Sequence, residues 1–158
     1  MISTRIRTRI AAATIAAMGV VGVAAATGTG DAAADGAYPL NNCIGLSPNI
    51  VDAPYWPTRA IVAQYAGKTY ITTEFSSYWF GVGYESTARL DWRNLQTGQR
   101  GSMTNRSAVK PPYTGTHVFT IPTNRIGKGR VQVTLSTVNR NALWALPTPT
   151  CGGVITVS

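Results

Sequence analysis

Hydrophobic and polar positions alternate with a period of two along much of the chain. Ala88, Leu90 and Trp92 alternate with Arg89, Asp91 and Arg93, which puts an apolar row on one face of an extended strand and a charged row on the other. Val131, Val133 and Leu135 alternate in the same way with Gln132, Thr134 and Ser136, and Ile71, Thr73 and Phe75 with Tyr70, Thr72 and Glu74. A strand over 116–121 turns Phe119 and Ile121 inward and stops at Pro122. No stretch sustains a helical period. The pattern predicts strands over 69–75, 84–93, 99–106, 116–121, 130–138 and 153–157, with a short apolar run over 60–65 and a broken edge strand over 43–51. Residues 139–149 read as a loop.

Gly and Pro punctuate these runs. Asn94-Leu95-Gln96-Thr97-Gly98 reads as a turn because Gly98 can take a positive φ. Ala66-Gly67-Lys68 and Gly127-Lys128-Gly129 read as further tight turns. About seven short strands between such turns argue for an all-β sandwich with one wet face on each sheet. Trp92 is the expected core plug, and its burial removes roughly 150–250 Å² from water. The segment 99–106 has Met103 as its one large apolar residue and carries Arg100 and Arg106, the marks of a protected edge.

The N-terminus changes the picture of where the domain begins. Arg5, Arg7 and Arg9 precede an apolar stretch rich in Ala, Val and Ile, which ends in Ala24-Ala25-Ala26. This is the pattern of a secretory signal peptide, expected over 1–26, and a span is not expected to remain after its cleavage. Residues 27–40, small and polar with Asp31 and Asp35, read as a flexible leader to a domain over 41–158. Export implies an oxidising compartment, so the two cysteines, Cys43 and Cys151, are expected to form one disulfide. A closed loop of about 100 residues contributes about 4.7 kcal/mol in the chain-entropy model.

The formal charge is +8, and +5 without the three arginines of the signal peptide. The remaining basic residues look scattered along the chain, with no block of like charge. They suit either a soluble surface or attraction to an acidic one, such as a phosphate-bearing polymer or anionic lipid.

Two segments carry a resemblance. Ala66-Gly67-Lys68-Thr69-Tyr70 looks like the entry to the second strand of small immunoglobulin-like domains. The run from Trp92 to Gly101 is similar to a strand–turn segment of secreted actinobacterial proteins with such domains. The resemblance implies an immunoglobulin-like β-sandwich in an extracellular setting and brings no catalytic residues. In such a sandwich the first and last strands can run side by side and parallel, which suits a Cys43–Cys151 cross-link.

Candidate chemistry is sparse. The carboxylates of the domain are Asp52, Glu74, Glu85 and Asp91, and His117 is the only histidine. Glu74 and Glu85 flank an aromatic segment and could form a glycosidase pair. His117 could serve a serine nucleophile, although no Gly-x-Ser-x-Gly elbow occurs and His117 is expected to face water. Asp91 is expected to balance Arg89 and Arg93. No cofactor, metal set or nucleic-acid module is recognised. The expected function is a secreted, non-enzymatic interaction domain for a protein, glycan or envelope component. The alternatives are a small hydrolase or an inhibitor of an extracellular enzyme. Tyr78, Trp79 and Phe80 are the expected binding surface, with Arg89 and Arg93 adding attraction.

Overall fold

The computed structural model describes residues 33–41, 43–49, 56–76, 83–109 and 115–158. The expected signal peptide lies outside them, as do Asp52, Tyr78, Trp79 and Phe80.

The strands are β1 (Ala33–Pro39), β2 (Trp56–Tyr65), β3 (Lys68–Ser76), β4 (Tyr84–Asn94), β5 (Arg100–Val109), β6 (Thr116–Pro122), β7 (Gly129–Arg140), β8 (Ala145–Pro147) and β9 (Cys151–Val157). A four-residue helix, α1 (Thr123–Ile126), joins β6 to β7. One antiparallel sheet has the order β1-β2-β3-β6. The other has the order β5-β4-β7, with β8 and β9 both pairing β7 along different stretches of its far edge. The chain passes between the sheets from β3 to β4, from β5 to β6, and through α1 from β6 to β7.

Alternation explains the layering. In β4 the side chains of Tyr84, Ser86, Ala88, Leu90, Trp92 and Asn94 are buried, while the intervening ones face out. The inner faces of both sheets interleave in one core of Val62, Ile71, Phe119, Leu90, Trp92, Val133 and their neighbours. Trp92 is buried as its parity requires. Its ring lies over Gly101, the residue opposite it on β5, where a Cβ would collide with the indole. The absence of a side chain at Gly101 is what lets a Trp fit there.

Asn94 closes the end of the core beside the turn. Its Oδ1 accepts from the amides of Gln96 and Thr97, both at 2.9 Å. Its Nδ2 donates to the carbonyls of Ile126 and Lys128 at 3.2 and 2.9 Å. One buried amide thus ties the β4–β5 turn to the connection after α1, and Gly98 at φ 74° completes that turn.

Cys43 and Cys151 are bonded, with Cα atoms 4.8 Å apart and a sequence separation of 108. Cys151 opens β9, but Cys43 lies outside any strand. The broken strand expected over 43–51 does not form among the described residues. In place of a parallel first–last pairing, Asn41 and Gly152 form an isolated antiparallel bridge. Ala33–Pro39, assigned to the leader from sequence, pairs with β2 as an edge strand. Residues 145–147 form β8 inside the expected loop, so nine strands are described where about seven were expected.

Candidate functional site

The outer face of the β5-β4-β7 sheet collects most of the charge. Arg89 and Arg93 project from β4, Arg100 and Arg106 from β5, and Arg130 and Arg140 from β7, and all six are exposed. Each sits at the polar parity of a strand whose other parity fills the core. Asp91 and Glu85 are the carboxylates on this face among the described residues, which there carry a net +4. Among the described side chains, the outer face of the β1-β2-β3-β6 sheet holds Arg59, Lys68 and Glu74, a net +1. Charge that looks scattered along the chain is concentrated on one sheet.

Within this face, Asp91 is already engaged. Its Oδ1 accepts from Arg89 Nε at 3.0 Å and lies 2.9 Å from Arg89 Nη2, so Asp91 balances Arg89 but forms no ion pair with Arg93. Arg93 and Arg100 are directly opposed across β4 and β5. Neither has an ion-pair or hydrogen-bond partner among the described residues. Like charges directly opposite on a sheet are destabilising, and two arginines rising from neighbouring strands whose backbones are about 5 Å apart can converge on one oxyanion. Ser102, Gln132 and Thr134 add neutral donors around the same depression of about 430 Å³. A second depression of about 310 Å³ joins Arg106 and Arg140 to Glu85, Thr87 and Val138. The surface can therefore take a polyvalent anion through guanidinium groups backed by hydroxyl and amide donors.

The interior holds a second constellation. His117 is fully buried, which corrects the expectation that it faces water. Its Nδ1 lies 2.9 Å from Asn105 Oδ1, and its Nε2 lies 3.1 Å from Ser86 Oγ. With Asn105 accepting from Nδ1–H, Nε2 accepts from the Ser86 hydroxyl. Burial lowers the His117 pKa to about 4, so the ring is neutral at pH 7. This is the order of a nucleophile, a base and an orienting amide. Ser86 and His117, however, are both enclosed between the sheets with no exposed surface, and Ser86 Oγ is out of a substrate's reach in this structure. Asn139 and Thr73 continue the polar end of the core, and their side-chain polar atoms have no hydrogen-bond partner among the described residues.

Glu74 and Glu85 are not brought together. Glu74 pairs with Arg59 at 2.9 Å on the outer face of the β1-β2-β3-β6 sheet, whereas Glu85 stands on the outer face of the other sheet. Tyr78, Trp79 and Phe80 lie outside the described residues. Among the described residues there is no cluster of three metal-ligating side chains, and no helix is long and apolar enough to cross a membrane. The turn at 94–98 makes β4 and β5 neighbours in the sequence, but the pairing of β4 with β7 that brings Arg130 and Arg140 onto the same face is not visible there.

No protein-family model, curated protein or solved structure matches the chain.

Proposed function

We propose that this is a secreted, non-enzymatic, immunoglobulin-like binding domain that holds an anionic extracellular or envelope component against the outer face of its β5-β4-β7 sheet. The observation that carries this reading is the gathering of six arginines on one sheet face, with Arg93 and Arg100 opposed and unpartnered among the described residues. Folding accepts that repulsion without an internal reward, and a bound anion would relieve it.

Secretion is supported by the signal-peptide pattern and by the disulfide. The immunoglobulin-like reading is supported by the crossing of the chain between a sheet built on β2-β3-β6 and one built on β5-β4-β7-β9. The non-enzymatic reading is supported by the enclosure of Ser86 and His117 and by the separation of the two glutamates. A shared architecture would not by itself supply an activity.

The test is retention of the purified protein on immobilised polyphosphate and on an envelope fraction across a salt series. Wild-type retention is expected to fall steeply with salt, because exposed charge is screened within about 8 Å at physiological ionic strength. The Arg93→Gln/Arg100→Gln double variant is expected to lose about tenfold in affinity, on the basis of roughly 0.7 kcal/mol per exposed charge contact. Retention that is insensitive both to salt and to these substitutions would overturn the reading.

A further inference from the structure

An apolar rim borders the arginine face where β7 ends. Leu143 is 79% exposed and Trp144 43%. On the segment that leads to Pro48, Ile44 is 52% and Leu46 71% exposed. The two segments are held together. Trp144 Nε1 donates to the Pro48 carbonyl at 2.6 Å, and Asn141 Nδ2 donates to the same carbonyl at 2.8 Å. Arg140 precedes this loop directly and shares a depression with Arg106, Glu85 and half-exposed Val138, a net +1.

The amides of Asn141, Leu143 and Trp144 and the indole N–H are bonded within the protein. Asn141 Oδ1 accepts from the amides of Leu143 and Trp144 at 2.9 and 3.0 Å, and the Asn141 amide donates to the Trp144 carbonyl at 3.0 Å. The indole N–H has its partner in Pro48. Entering hydrocarbon is costly for unsatisfied backbone and indole donors, and here Leu143 and Trp144 present side chains whose local donors are bonded within the protein. The loop leaves two large apolar side chains in solvent.

We propose that this rim docks the protein on an anionic phospholipid surface, Leu143 and Trp144 entering the acyl boundary while Arg106 and Arg140 meet headgroup phosphates. The inference rests on the reading of the arginine face as an anion-binding surface and names its partner. A bilayer offers apolar depth and anionic charge within one interfacial zone roughly 5–8 Å deep. Basic residues near such a surface and an apolar anchor reinforce one another, since either alone gives weak attachment.

The test is co-sedimentation of the purified protein with phosphatidylcholine vesicles and with phosphatidylcholine–phosphatidylglycerol vesicles, alongside retention on soluble-type polyanion (immobilised polyphosphate). Binding is expected to the mixed vesicles and not to phosphatidylcholine alone. Leu143→Ser is expected to lower mixed-vesicle binding about tenfold, the effect of losing one partly buried leucine, and to leave polyphosphate retention and thermal stability unchanged. Arg106→Gln/Arg140→Gln is expected to lower mixed-vesicle binding by about tenfold or more. Mixed-vesicle binding unaffected by Leu143→Ser would overturn apolar docking and leave charge adsorption. Absence of vesicle binding with polyphosphate retention intact would overturn the lipid assignment and spare the arginine face; loss of both would remove the two readings together. If Leu143→Ser loses the envelope fraction while no vesicle is bound, the rim belongs to a protein partner and the lipid assignment is wrong.

Discussion

His117 is a neutral base in a neutral cage. Ser86 and Asn105 hold both ring nitrogens, and burial lowers its pKa to about 4 from 6.5. Between those two values the unfolded chain binds the proton and the folded one does not. Stability therefore rises with pH through this window, is complete above about 6.5, and is lost progressively as pH falls towards 4. The total is on the order of 3 kcal/mol. Denaturant melts of the wild type between pH 7 and pH 4 are expected to show this loss, and His117→Gln to flatten it. A wild type whose stability is level across that window would contradict the buried neutral ring. The correct placement of His117 was available from parity, because it shares its strand face with Phe119 and Ile121. The partners that make its burial tolerable come from β4 and β5, which sequence alone does not juxtapose with β6. At the same scale, Trp92 and Gly101 are a matched pair. Gly101→Ala is expected to destabilise by about 1–3 kcal/mol through displacement of the indole, and Trp92→Ala by about 3–5 kcal/mol. An urea melt in which Gly101→Ala matches the wild type would place the Trp92 ring elsewhere.

At the scale of elements, β4 and β7 were readable because they are long, central and strictly alternating. Their cores of Leu90 and Trp92, and of Val131, Val133 and Leu135, lie where the pattern puts them. Strand β1 was not readable. Its sequence, AADGAYP, has no amphipathic alternation, and its place depends on backbone pairing with β2. Helix α1 is a single turn, shorter than any periodicity can reveal. Strand β8 is three residues long and exists through its register with the end of β7. The arginine face belongs to this scale too, since it is made by strand order rather than by any one strand. It carries a paired expectation. Arg100→Glu places a carboxylate opposite Arg93 and is expected to raise stability by a few tenths to about 1 kcal/mol while lowering polyanion affinity. Thermal melts and binding isotherms of that variant check both signs; a loss of stability would mean that the opposed arginines are not in repulsion.

Over the whole molecule, charge is concentrated on one face. Among the described residues one sheet face carries six arginines and the other a near-balanced set, while the most exposed apolar side chain, Leu143, stands with Trp144 in the loop that follows β7. The disulfide fastens the segment that bears Ile44 and Leu46 to β9, so reduction is expected to weaken both the fold and the rim; melts with and without reductant read the first effect. The central claim is that the outer face of the β5-β4-β7 sheet holds an anion. Its most direct test is an amide NMR titration of the purified protein with polyphosphate. The account predicts perturbations centred on Arg93, Arg100, Ser102, Gln132 and Thr134, weakening as salt is raised. Perturbations centred instead on β2, β3 and β6, or none at concentrations that saturate immobilised polyphosphate, would contradict it.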